Sequence, residues 1–132
     1  MKVIVDTPIW SFVFRKGADA HHAETLTELT RRGQVQVLGA VRQEVLSGIR
    51  DSKQFQYIRE RLAAFPDLEL QRDDYETAAA YFNRCRSRGV QGSNTDFLIC
   101  AAAVRHDFMV YTTDGDFKLY ARHIHLKLLS HH

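Results

Sequence analysis

The sequence predicts an α/β fold, a three-layer α/β/α sandwich with a mainly parallel central sheet, built by residues 1–132 as a single domain. Three observations carry that expectation. Met1-Lys2-Val3-Ile4-Val5-Asp6 contains an apolar run without alternation, the pattern of a strand buried on both faces at the centre of a parallel sheet. Met109-Val110-Tyr111 repeats that pattern late in the chain and, like the first run, leads into carboxylates. Between the two, short strand-like pieces alternate with segments of helical periodicity, as crossover helices on a parallel sheet require.

In chain order, the first strand ends on Asp6, followed by Thr7 and Pro8. Proline has no donor for a ladder but suits the first turn of a helix, so the chain turns here. Asp6 is thereby expected at the carboxyl end of a central strand, where open α/β sheets bind their ligands. A plain helix cap is the competing role for it. Ile9-Trp10-Ser11-Phe12-Val13-Phe14 follows as a short helix with large apolar groups on more than one face. One face can enter the core, and the surplus marks Trp10, Phe12 and Phe14 as a candidate partner surface; burial on all sides is the alternative. Arg15-Lys16-Gly17 closes the segment.

A second helix is expected from Ala20 to Arg32, stopping at Gly33. Val35-Gln36-Val37-Leu38 reads as a short strand, and Gly39-Ala40 opens a helix holding Val41, Val45, Leu46 and Ile49. Glu44 borders the apolar stripe of that helix. Lys53 to Phe65 is a further amphipathic helix closed by Pro66, and Leu68-Glu69-Leu70 is a brief strand-like piece. Asp73-Asp74-Tyr75-Glu76 starts a helix with the Asp-x-x-Glu spacing of a capping box, with Tyr75, Ala78, Ala79 and Phe82 as its apolar face. That helix ends among Arg84, Arg86 and Arg88, which suit the helix dipole and a solvated face and could also meet phosphates.

Gly92-Ser93-Asn94-Thr95 is a turn and cap before a helix apolar on nearly every side through Val104. Asp96 falls in its first turn, beside free backbone N–H groups. Met109 to Tyr111 then runs out into Thr112-Thr113-Asp114-Gly115-Asp116-Phe117, and a last strand near Leu126 to Leu129 closes the sheet.

Composition narrows the classes of function. Hydrophobic content of 45% and charged content of 26% are those of an ordinary soluble domain. No apolar run approaches a membrane span, and the opening apolar segment is too short for a secretory leader. Cys85 and Cys100 fall in different helices without metal-like spacing, Cys100 inside an apolar run, so a reduced, cytoplasmic protein is expected. A net charge of +2 tolerates a nucleic-acid partner without requiring one. His131-His132 at the end of the chain read either as native residues or as the remnant of a tag, and are not counted among the site residues.

The acids are the chemically informative residues. Adjacent parallel strands share one carboxyl rim, so Asp6, Asp96 and Asp114 can converge there from distant positions, with Glu44 reaching in from the helix after the second strand. Two carboxylates about 4 Å apart repel by roughly 4 kcal/mol at an effective dielectric constant of about 20. Such a group must either take up protons or be neutralised by a cation. Oxygen ligands without Cys or His select Mg²⁺ or Mn²⁺ over Zn²⁺, and Mg²⁺ completes its shell with waters and substrate phosphate. The pattern points to metal-assisted hydrolysis of a phosphodiester.

Four segments together resemble the PIN-domain ribonucleases, and among them the VapC toxins of toxin–antitoxin pairs. They are Val-Ile-Val before Asp6, Val41-Arg42-Gln43-Glu44-Val45, Thr95-Asp96-Phe97-Leu98-Ile99-Cys100-Ala101-Ala102-Ala103, and Thr112-Thr113-Asp114-Gly115-Asp116-Phe117. The resemblance spans almost the whole chain, in order. It implies an endoribonuclease dependent on Mg²⁺ or Mn²⁺, acting on RNA such as tRNA or rRNA, a homodimer, and a cognate VapB-like antitoxin that covers the site. It also implies Asp6, Glu44, Asp96 and Asp114 as the catalytic acids, with Asp6, Asp96, Asp114 and Asp116 as metal ligands. Thr112 or Thr113 matches the small hydroxyl residue near the metal.

Rival readings fit less well. A receiver domain needs adjacent acids after its first strand and a late strand-end Lys, and a haloacid-type phosphatase needs Asp-x-Asp where this chain has Asp6-Thr7-Pro8. No Gly-rich phosphate loop of the common types is present. A non-catalytic RNA- or protein-binding module is the alternative from another class. His123 and His125, at alternate positions, could share a metal but have no third ligand in view. His21, His22 and His106 read as surface or boundary residues.

Overall fold

In the computed structural model, which describes residues 1–14 and 20–129, the strands Val3–Val5 (β1), Val35–Gln36 (β2), Met109–Tyr111 (β3) and Lys127–Leu128 (β4) form one sheet. Their order is β2-β1-β3-β4, and every pairing is parallel. Val3, Ile4 and Val5 are at most 2% exposed, which is why no polar alternation marks them. Val5 lies opposite Tyr111, and the Asp6 N–H donates to the Tyr111 carbonyl at 2.9 Å. That register puts the residues just past β1 and β3 side by side.

Seven helices among the described residues flank the sheet: Thr7–Phe14 (α1), Ala20–Arg31 (α2), Gly39–Leu46 (α3), Ser52–Leu62 (α4), Arg72–Ser87 (α5), Asn94–His106 (α6) and Asp116–Tyr120 (α7). The layers are those of an α/β/α sandwich. α1 packs on α2 and α3, α6 packs on β3, and α5 lies along α6. The run from Ile99 to Ala103 in α6 is buried throughout, its alanines allowing close approach to the neighbouring elements. Cys85 and Cys100 are buried free thiols, both pushed up by burial. No helix among the described residues is long and apolar enough to cross a membrane.

Several local expectations are corrected. α3 stops at Leu46, and Gly48 adopts φ +84°, a left-handed turn that leaves Ile49 outside the helix. α4 ends at Leu62, and Ala63 to Phe65 form a turn. Leu68 to Leu70 is not a strand; a single parallel bridge joins Val37 and Asp67, with the Leu68 N–H donating to Val37 O at 2.7 Å. The capping box of α5 lies two residues earlier than expected, with Gln71 as the cap and Asp74 accepting its backbone N–H at 2.8 Å. The buried face of α5 is Asp74, Ala78, Tyr81 and Cys85, and Tyr75 is 54% exposed. The cause is an ion pair: both oxygens of Asp74 are held by Arg105 of α6, at 2.6 and 2.7 Å. His22 is likewise no surface residue, since it is buried with Nδ1 2.6 Å from the Tyr111 hydroxyl. Arg15-Lys16-Gly17 and His131-His132 lie outside the described residues.

Candidate active site

Asp6 is the most buried acid at the carboxyl rim, 3% exposed. Its Oδ1 accepts the Thr7 backbone N–H at 2.8 Å, and its Oδ2 accepts the Thr112 hydroxyl at 2.8 Å. Burial raises its pKa to about 6. The Thr112 and Thr7 hydrogen bonds pull in the opposite direction, and the charges of Asp96 and Asp114 push further up. A carboxylate left at the end of a doubly buried strand is costly to ionise for this reason.

Thr112 does two jobs with one hydroxyl, because its oxygen also accepts the Asp114 N–H at 3.0 Å. Asp114 Oδ1 in turn accepts the Asp116 N–H at 2.9 Å, an Asx turn that leads into α7. Thr113 is exposed, so Thr112 is the hydroxyl beside Asp6. Asp116 is exposed in the first turn of α7, and its charge registers at Tyr120.

Asp96 sits in the first turn of α6, where Ser93 Oγ caps its N–H at 3.1 Å. Tyr120 donates its hydroxyl to Asp96 Oδ2 at 2.7 Å. Burial raises the Asp96 pKa, the Tyr120 and Ser93 hydrogen bonds oppose that rise, and Asp114 and Glu44 add to it. Glu44 is exposed on α3, and its Oε1 accepts the Thr7 hydroxyl at 2.7 Å. Thr7 therefore touches two acids, Asp6 through its backbone and Glu44 through its side chain. Asp6, Asp96, Asp114 and Glu44 are thus close enough to act on one another's charge, though they come from four separate elements. Thr7, Glu44, Gln43 and Thr95 line an adjoining cleft of about 500 Å³.

The donor set consists of hard oxygens. Among the described residues, no three His, Cys, Asp or Glu side chains gather closely enough to hold an ion directly. The four-ligand set Asp6, Asp96, Asp114 and Asp116 is therefore not assembled as a dry cage. The arrangement fits instead a hydrated divalent cation of the Mg²⁺ type, which takes one or two carboxylates and keeps several waters. His123 and His125 join no metal-holding group among the described residues.

The aromatic residues of α1 divide between core and surface. Trp10 is 1% exposed and donates its indole N–H to Val5 O at 3.2 Å, so it is a core residue and not a freely exposed contact. Its packing partners are Phe14, stacked at 6.1 Å, and Phe65, edge-on at 5.1 Å. With Val13 and Leu26 these rings line an apolar groove of about 490 Å³, bordered by Arg31 and Arg61. Phe12 stacks on His22 at 5.5 Å and is not part of that groove. Sequence reasoning missed Thr7 and Tyr120. Thr7 was signalled by its position next to Asp6, whereas no local pattern marks Tyr120.

The sequence matches the PIN domain family over residues 3–123. No curated protein matches it. Solved structures with the same fold include FitAcB from Neisseria gonorrhoeae, 19% identical with a TM-score of 0.79 over 97% of this chain and 96% of that one. VapBC2 from Rickettsia felis, bound to a DNA fragment from its promoter, is 18% identical with a TM-score of 0.79, covering 98% of each chain. A toxin–antitoxin complex from Klebsiella pneumoniae is 21% identical with a TM-score of 0.67 over 88% of this chain and 90% of that one. At these identities the likeness is one of fold.

Proposed function

The chain belongs to the PIN-domain family, and on that premise we propose that it is the toxin of a type II toxin–antitoxin system. Its activity is that of an endoribonuclease dependent on Mg²⁺ or Mn²⁺, hydrolysing phosphodiester bonds of tRNA or rRNA. It acts as a homodimer in the cytoplasm and is inhibited by a cognate VapB-like antitoxin. The observation that carries this reading is Asp6, a buried carboxylate raised to about 6 with the charges of Asp96 and Asp114 upon it. An RNA phosphate brought to such a rim adds another negative charge, and only a cation relieves all of them together.

Asp6 and Asp96 are the carboxylates best placed to hold that cation, and Asp114 stands ready beside them through the Thr112 hydroxyl and the Asp116 N–H. When bound, the metal polarises the phosphate and lowers the pKa of an attacking water. Glu44, exposed at the cleft and oriented by Thr7, is suited to accept the proton of that water. The cleft beside it gives the RNA backbone access. For the antitoxin, the groove beneath Phe14 and Phe65 offers apolar surface with two arginine side chains at its border, which suits an apolar segment carrying carboxylates. The toxin–antitoxin complex from Klebsiella pneumoniae, of the same fold, supports a partner of this kind.

The test is cleavage of total RNA with Mn²⁺, followed by mapping of the new 5′ ends. Cleavage by the wild type, lost with EDTA and lost in a folded Asp6→Asn variant, is expected. Cleavage that survives either change overturns the mechanism, and RNA binding without any cleavage makes the protein a binding module.

A further inference from the structure

Tyr120 closes α7 and is fully buried, yet it points its hydroxyl at a carboxylate of the rim. Its ring is walled by Phe97 at 4.8 Å and Phe117 at 5.1 Å. Its carbonyl accepts the N–H groups of His123 and Ile124, each at 2.9 Å. A buried phenol needs a hydrogen-bond partner, and here the partner is Asp96 Oδ2 at 2.7 Å. The loop before α6 closes on the same hydroxyl. A Cβ added at Gly92 would stand 2.2 Å from the Tyr120 oxygen and 2.7 Å from its Cζ, so this approach exists only because residue 92 has no side chain.

We infer that Tyr120 is a positioning residue, which pins Asp96 through Oδ2 so that its other oxygen is oriented in advance toward a divalent cation. The inference rests on the reading of the rim as a cation site. Ser93 Oγ holds the backbone N–H of Asp96 at 3.1 Å and, with Tyr120, lowers the carboxyl's pKa, so the cap fixes the main chain and the phenol holds Oδ2. Without the phenol the carboxylate would turn about its own bonds, and ordering it would fall on the binding step. Hydrogen-bond partners of metal-binding carboxylates act in this way, and losing one weakens metal binding about tenfold or more.

Mn²⁺ binding without RNA, followed by electron paramagnetic resonance of the free ion, tests this on the intact chain. Tyr120→Phe keeps the ring and its packing and removes only the donor. Asp96→Asn is expected to weaken Mn²⁺ binding, Tyr120→Phe to weaken it roughly tenfold, and the double variant to bind no more weakly than Asp96→Asn alone. Gly92→Ala, which crowds the phenol off Asp96, is expected to give the same loss and serves if Tyr120→Phe does not fold. Unchanged Mn²⁺ binding in Tyr120→Phe, with Asp96→Asn weakened, overturns the positioning role and leaves the cation site standing. Additive losses in the double variant overturn it as well, because Tyr120 would then not act through Asp96. Unchanged binding in Asp96→Asn removes the cation-site reading and this inference with it.

Discussion

The hydroxyl of Thr112 donates to Asp6 Oδ2 across 2.8 Å, joining the ends of two adjacent parallel strands whose residues lie 106 positions apart in sequence. Both groups are buried. Thr112→Val keeps the shape and removes the donor, leaving a buried carboxylate one hydrogen bond short. Urea unfolding at pH 7.5 is expected to show a loss of about 1.5–3 kcal/mol. The same change is expected to move the acid limb of the cleavage profile upward, since that hydrogen bond holds the Asp6 pKa down.

Asp6 also makes stability depend on pH. Its pKa in the folded chain is raised from 3.8 to about 6, so between those values the folded state holds a proton that the unfolded state has released. Stability then falls as pH rises through this window, by about 3 kcal/mol in all. Asp6→Asn removes that dependence. With metal chelated, the variant is expected to be more stable than the wild type at pH 8 and to differ little at pH 3.5, in thermal unfolding monitored by circular dichroism.

Asp74 has the opposite dependence. Burial alone would raise it, but hydrogen bonds from Arg105 and the Gln71 N–H carry its pKa below the usual carboxylate value. Its contribution is present above the unfolded pKa and is lost as pH falls through the folded one. Arg105→Met is expected to lower Tm at pH 7 by separating α5 from α6, and to lower it much less at pH 2.5. Equal losses at both pH values would remove the ion pair as the cause.

Glu44 can be separated from metal binding. It is exposed, and its Oε1 accepts the Thr7 hydroxyl. Glu44→Gln is expected to reduce kcat about a hundredfold or more, as loss of a general base does, with Mn²⁺ affinity close to that of the wild type. A large fall in Mn²⁺ affinity would make Glu44 a ligand instead.

The groove proposed for the antitoxin is best probed at Ala64, an exposed residue on its lining. Ala64→Arg adds bulk to the groove without disturbing Trp10 or Phe65. Antitoxin affinity, measured by calorimetry, is expected to fall tenfold or more while RNA cleavage is retained. An unchanged affinity places the antitoxin elsewhere.

What could be read from the chain follows the range of the forces involved. β1 and β3 were legible because burial on both faces leaves a local mark, an apolar run without alternation. Asp6 and Asp114 were legible as candidates because each lies just past such a run, and Asp96 because it falls in the first turn of a buried helix. Trp10 was read as surplus surface, since eight residues of largely apolar helix do not reveal which face a distant turn will cover; Phe65 and the sheet cover it. The face of α5 was misjudged because Asp74, a charged residue paired with Arg105, joins Ala78, Tyr81 and Cys85 on the buried side, and an apolar count does not include it.

The amino-acid sequence by itself determined the α/β class, the order of the elements and the presence of carboxylates at strand ends, since these depend on short-range periodicity and turn chemistry. Only the tertiary structure decided which donors hold those carboxylates. Thr112 reaches Asp6 through strand register, and Tyr120 reaches Asp96 across 24 positions once α7 folds back against α6. Hydrogen bonds act over about 3 Å, so such partnerships are specified only when packing brings distant segments into contact.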